Sequence, residues 1–265
     1  MMQFPIAAQW ARRTGRTFDC WLDETTCKPL VNLFKAQPGV DEVKLIGGIE
    51  NWQCGGQPFH FNLKTSDFAG RTIYHLGFRG FPQRQLTLET AENAKLPIEI
   101  DRDALAVEPG LVVEPSNPAH RVVLHGQPVY AHTRNTPTFW KFLSIVSKEL
   151  EGMFEQRVFV GNARDREVGM RTYPGWSELD DGGDFLDTAR LMAGSTFVLA
   201  CGSSMAALAG ALKVPCIRVH DPIGDSPKNL WNSLGENQLN ETEVALRKSW
   251  PEFRDRWLIP QAVSP

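Results

Sequence analysis

Two runs of alternating strand and helix, a proline-rich join between them, and one strand-turn-helix-strand unit in the second run predict an α/β protein with two Rossmann-like domains. That unit is STFVLACGSSMAALAGALKVPCIRVH, residues 195–220. Residues 196–200 read as a short apolar strand. A Gly-Ser-Ser turn at 202–204 opens an Ala- and Leu-rich helix at 205–212, and Pro215 ends it before a strand at 216–219. A small-residue turn at the carboxyl end of a parallel strand leaves the first amides of the helix unpaired and facing outward, where they favour an anion such as phosphate. Ser203 or Ser204 also reads as an ordinary helix cap, with the small residues serving only to let helix and sheet pack closely.

The elements before this unit follow in order. Residues 6–13 have helical pattern, closed by Gly15, and 17–22 read as a strand. A helix at 28–36 carries Pro29 in its first turn and leads to a strand at 40–46. Further strands are expected at 59–63, 72–76 and 96–100, with a helix at 85–93. The loops 47–58 and 77–83 combine glycine with aromatic residues, as binding loops do. Three prolines in 109–118 mark a linker. Beyond it come a strand at 121–125, a helix at 137–149, a strand at 157–160 and a helix at 184–192 capped by Asp184. Residues 241–257 read as one or two amphipathic helices broken at Pro251. The domains are therefore 1–113, 114–240, and a terminal helical segment 241–265 expected to pack back on the first. A doubly wound sheet ordinarily starts on a strand, so the opening helix implies a first domain lacking its first strand.

The net charge of −3 gives no global basic field, so nucleic acid is not an expected partner. Five cysteines without a C-x-x-C pair argue against a disulfide framework and a zinc knuckle, and point to reduced, cytoplasmic thiols. No run is apolar for long enough to form a transmembrane helix, which leaves only peripheral membrane contact.

On the segments KPLVNLFKAQPGVDEVKLIGG and DTARLMAGSTFVLACGSSMAALAGALKVPCIRV, the chain resembles the lipopolysaccharide heptosyltransferases, a glycosyltransferase family with the two-Rossmann, B-type fold. The resemblance implies a sugar moved from a nucleotide-diphosphate sugar to a saccharide or other hydroxyl acceptor, with inversion and without a metal or cofactor. The first domain would serve the acceptor and the second the donor. Two departures accompany it. The family's likely general base, an Asp in a Gly-Asp turn before the first helix, has no counterpart after Met1. Where the family shows Asp-Ser/Thr-Gly-x-x-His, this chain has Gly202, Ser203, Ser204, Met205, Ala206 and Ala207.

The resemblance assigns the donor to Gly202, Ser203, Ser204 and Met205, with Arg134 as the cation and Gly161 with Asn162 at the nucleoside. Lys141 reads as exposed. For the base, Asp23, Glu24, His60 and His75 are candidates, and Asp23 and His60 are carried forward. Asp221 and Asp225 form no clustered carboxylate pattern, so no metal is expected. Two rival readings stand beside the transferase: a catalytically silent sugar-nucleotide binder, and a nucleotide-sugar epimerase of the same architecture.

Overall fold

Helix α1 (Phe4–Thr14) buries Phe4, Ile6, Ala7, Ala8, Gln9 and Ala11 and ends on Arg12 and Arg13, whose charges suit a helix carboxyl end. Gly15 adopts φ +64° and returns its N–H to the Ala11 carbonyl at 2.9 Å, a left-handed cap open to glycine. The computed structural model describes residues 4–46, 72, 99–126, 135–161, 163–172, 175–178, 184–201, 204–220 and 237–259. The strands and helix expected at 59–63, 73–76 and 85–93, both glycine-aromatic loops, and 96–98 lie outside these residues. Residues 99 and 100 carry no regular element.

Strand β1 (Phe18–Asp23) pairs in parallel with β2 (Val40–Ile46). The single helix expected between them is instead α2 (Glu24–Cys27), a 3-10 turn at Lys28–Leu30, and α3 (Val31–Lys35). Pro29, which has no N–H for an α-helical bond, sits in the tighter turn. After α4 (Arg102–Val107), capped by the Asp101 carboxylate on the Ala104 amide, the chain enters a six-stranded sheet. Its strands are β3 (Arg121–His125), β4 (Gln156–Phe159), β5 (Ser177–Glu178), β6 (Phe197–Cys201), β7 (Cys216–His220) and β8 (Gln238–Thr242). All pairings are parallel, in the order β5-β4-β3-β6-β7-β8. Counted from β3, this is the doubly wound order 3-2-1-4-5-6.

Alternation along the strands divides the core between the two faces. Val122, Leu124, Phe159, Phe197, Leu199, Ile217 and Val219 share one cluster with Phe142, Trp250 and Phe253 of α5 (Asn135–Met153) and α9 (Glu243–Trp257). Val123, Val158, Val198, Ala200 and Cys216 share the other with α7 (Phe185–Ala193), α8 (Ser204–Leu212), and Phe4, Ala8, Leu33 and Phe34 from α1 and α3. Each fully buried Leu, Val or Phe contributes about 1.5–3 kcal/mol, so both layers are needed to hold the sheet.

Three readings of the sequence need correction. The described part of the terminal segment, expected on the first domain, packs on the second sheet: Leu246, Trp250, Phe253 and Leu258 join its core, and Trp250 Nε1 and Arg254 Nη1 donate to Glu149 of α5 at 2.9 and 3.0 Å. Pro251 does not break α9, because its ring lies on the exposed side while Trp250 and Phe253 anchor the helix on either side of it. Helix α6 (Ala163–Thr172) was not expected, since ARDREVGMRT offers no apolar stripe.

The proline-rich stretch is tied down along its length. The Gly110 and Leu111 amides donate to the Ala211 carbonyl, Ser116 to Arg190, and Ala119 to Gly194.

Candidate functional site

The order of the strands fixes where a ligand can enter. At β3 and β6 the winding reverses: α5 packs on one face of the sheet and α8 on the other, and the carboxyl ends of these strands are where a doubly wound sheet takes its ligand. The β3–β6 register runs from Val122 opposite Phe197 to His125 opposite Ala200. Cys201 is the last residue of β6, and Ser204 opens α8. Ser204 is exposed, whereas Met205 to Ala211 are all buried. Alanine at 206, 207, 209 and 211 lets this helix lie close to the sheet, so its amino end stands at the carboxyl end of β6 with a hydroxyl-bearing residue exposed.

His125 is the last residue of β3 at this point of reversal. Its side chain shares the face of Arg121, Val123 and Ala200, is 4% exposed, and hydrogen-bonds the Cys201 backbone. Only a carbonyl acceptor favours the protonated ring, so the ring N–H donates to the Cys201 carbonyl. Burial dominates and pushes the imidazole down to about 4, which keeps the ring neutral at pH 7. In the same row, β7 places Arg218 opposite Ala200. Burial lowers its guanidinium to about 10, against a smaller opposing effect of the Cys216 and Cys201 thiols.

The exit of β4 has its own anchor. Val160 continues the ladder, its amide donating to the Leu124 carbonyl at 2.9 Å, and Gly161 then turns with φ +141°, open to glycine and strained for other residues. Arg166, 7% exposed on α6, donates from Nη1 to the Gly161 carbonyl at 2.7 Å.

Of the residues expected to form the site, the structure describes Gly161 at the β4 exit and Ser204 and Met205 at the start of α8. All three belong to the carboxyl side of the second sheet. Met205 is 5% exposed and its side chain belongs to the core. Asp23 ends β1 in the other sheet, with its backbone alone described. His60, His75, Arg134, Asn162, Gly202, Ser203, Asp221 and Asp225 lie outside the described residues. Asp184 is the cap expected of it: Oδ1 accepts from the Leu186 amide at 2.9 Å, and Oδ2 accepts from Asn32 Nδ2 at 2.6 Å, joining α7 to α3. Asp187 is exposed and pairs with Arg190 at 3.4 Å, and Lys141 is exposed.

Sequence reasoning missed His125, Arg166 and Arg218. His125 and Arg218 carried a signal, a polar residue inside the apolar runs VVLH and CIRV. Arg166 carried none, being one of four charged residues in ARDRE. Among the described residues, no three His, Cys, Asp or Glu side chains converge on one point, and no helix is long and apolar enough to cross a membrane.

This parallel α/β arrangement is the B-type glycosyltransferase fold. The chain is similar to the heptosyltransferase WaaC of E. coli solved with ADP, at 15% identity over 95% of each chain and a TM-score of 0.58. It is also similar to the E. coli ADP-heptose lipopolysaccharide heptosyltransferase II, at 13% identity over 98% of this chain and 96% of that one, with a TM-score of 0.57. A family 9 glycosyl transferase from Veillonella parvula matches at 10% identity over 96% of this chain and 85% of its own, with a TM-score of 0.57. No protein-family model and no curated protein matches the sequence.

Proposed function

We propose that this protein is a glycosyltransferase that moves a sugar from a nucleoside-diphosphate sugar to an acceptor hydroxyl, inverting the anomeric centre in one displacement without a metal ion. One observation carries the reading: the winding of the second sheet reverses where a small-residue helix begins on exposed Ser204. Amides at such a point stabilise the charge that develops on a departing diphosphate, the electrostatic part of glycosyl transfer. The similar E. coli WaaC was solved with ADP, which supports a nucleoside diphosphate as the ligand class.

The donor is bound by the second domain, residues 114–240, and the acceptor by the first, residues 1–113. A base from the first domain, Asp23 or His60, takes the acceptor proton as the hydroxyl attacks the face opposite the leaving group. Arg134, Asn162, Gly202 and Ser203 complete the donor site in this proposal. Charge on the leaving group is met by main-chain amides and hydroxyls, which is why no metal is invoked.

The test is a donor panel of ADP-, UDP- and GDP-linked sugars incubated with the full chain and saccharide acceptors. Acceptor-dependent release of the nucleoside diphosphate, unaffected by EDTA and giving a product of inverted anomeric configuration by NMR, is the expected result. A donor converted to its epimer with no acceptor present would overturn it. The missing Asp and His at 202–207 favour a second reading, a silent sugar-nucleotide binder. That reading predicts a nucleotide-induced rise in Tm with no turnover on any donor.

A further inference from the structure

The segment with the composition of a linker is gripped from both sides, and we infer that residues 101–119 form a clasp and not a hinge: they lock α1 and α3, before the segment, to α7 and α8, after it, so that these elements open and unfold together with the six-stranded sheet. The inference does not rest on the function proposed above.

A hinge between two lobes needs a short stretch of backbone whose groups are free to turn, at a boundary that few contacts cross. Here that backbone is already engaged. At the start of the segment, Gln9 of α1, 2% exposed, uses both ends of its side-chain amide on one residue: Nε2 donates to the Asp101 carbonyl at 2.9 Å, and Oε1 accepts from the Asp101 amide at 2.8 Å. Within α4 the hold passes to the other side of the join, where Lys213 Nζ, just past α8, donates to the Leu105 carbonyl at 2.5 Å.

The exchange of holds is sharpest at 110–112. The Gly110 and Leu111 amides donate to the Ala211 carbonyl of α8 at 2.7 and 3.1 Å, and the next amide, that of Val112, donates to Gln37 Oε1 at 2.7 Å. Gln37, 4% exposed and just past α3, is itself fixed, its Nε2 donating to the Leu33 carbonyl at 2.9 Å. Consecutive peptides therefore bind opposite sides of the join, with no residue between them to turn. The packing is equally tight. A β-carbon at Gly110 would stand 2.3 Å from Cγ of Pro5 in α1, and one at Gly194 would stand 2.7 Å from the Ser116 carbonyl oxygen.

The apolar layer beneath the clasp runs across the same boundary. Leu111, 1% exposed, shares one cluster with Phe4 and Leu33 from before the segment and with Met192, Val198 and Leu208 from after it. Asn32 Nδ2 of α3 donates to Asp184 Oδ2 at the start of α7 at 2.6 Å. Buried amides parted from their acceptors have no water to turn to, so rotation about 110–112 would undo the hydrogen bonds and the shared layer together. Elements joined in this way belong to one cooperative unit.

The test is native-state hydrogen exchange on the full chain through a series of urea concentrations, read on the slowest amides of peptides 4–14, 31–36 and 197–201. The three peptides should share one free energy of opening and one dependence on urea. Gln9→Met and Gln37→Met, which remove hydrogen bonds made from α1 and from the end of α3, should accelerate all three by a common factor of about tenfold or more. A lower-energy opening confined to 4–14 and 31–36, or acceleration there with 197–201 unchanged, overturns the inference. The wild-type series decides the matter by itself if a variant fails to fold. Cutting the joint gives a second readout: a protease site is inserted between Glu114 and Pro115, both exposed, and cleaved in the folded protein. The two pieces should co-elute in gel filtration and part only in urea. Pieces that separate in buffer alone overturn the inference.

Discussion

Among the described residues, the two ends of the six-stranded sheet are held by different contacts. At the amino end, side chains and loop backbone close over the strands. Arg121, 5% exposed, donates to the Gln156 side chain at 2.8 Å and to the Asn117 and Leu191 carbonyls at 3.2 and 3.4 Å. Gln238 donates to the Val214 carbonyl at 2.6 Å, and the 110–119 segment is hydrogen-bonded to the ends of α7 and α8. At the carboxyl end, the described side-chain anchors are set back beneath the turns, and Ser204 faces outward. The difference separates two tasks that a single sheet has to perform. In the proposed function, the amino end serves stability and the end around Ser204 serves binding.

That separation can be broken by substitutions at either end. The largest effect is expected from Phe197→Ala, which removes a fully buried ring in contact with Phe154, Trp250 and Phe253 at 6.3, 6.0 and 5.9 Å between centroids. A cavity of that kind costs about 3–5 kcal/mol, read as a lower midpoint in urea unfolding. Arg121→Met should cost about 1–3 kcal/mol by removing the hydrogen bonds that a buried guanidinium makes to Gln156, Asn117 and Leu191, while the affinity of the folded protein for nucleoside diphosphate stays unchanged. A loss of affinity in Arg121→Met would contradict the division between the two ends.

Acid should act through His125. Its folded value, about 4, lies below the ordinary 6.5, so between these values the unfolded chain binds a proton that the folded chain does not. The stability contributed by the neutral ring is fully present above about pH 6.5 and is lost as pH falls toward 4. His125→Asn should flatten that part of the stability profile, measured by chemical denaturation at a series of pH values. The smallest change in stability is expected at the open end. Ser204→Glu places a carboxylate at the amino end of α8, where the helix dipole makes it worth about 0.3–1 kcal/mol of stabilisation. The same carboxylate repels a diphosphate, so affinity should fall about tenfold or more while Tm rises slightly.

The sequence made the four inner strands of the second sheet legible, while β8 at its edge was not expected. Its parallel strands are buried on both faces and read as short apolar runs, and RVVLH, FVLAC and CIRVH all sit within a residue of their expected places. Asp184 was readable as a cap because a carboxylate before an apolar helical face has one common role. Helix α6 and strand β5 were not readable, the first because it is charged along its length, the second because it pairs over only two residues. The destination of α9 was missed because its apolar residues Leu246, Trp250 and Phe253 specify a buried face without specifying which one. In the candidate site, the start of α8 at Ser204 was readable from the small residues around it. His125 and Arg166 were not, because an anchor is defined by the carbonyl it holds, which lies 76 residues away for His125 and on an otherwise unremarked glycine for Arg166.

The account depends on an anion seat at the reversal of winding in the second sheet. Isothermal titration of the full chain with ADP, UDP and GDP, repeated on Ser204→Glu, tests it most directly. Saturable binding of at least one nucleotide at one per chain, weakened about tenfold or more by the glutamate in a protein that remains folded, is the result predicted. No heat from any of the three, or binding that the glutamate leaves intact, would contradict it.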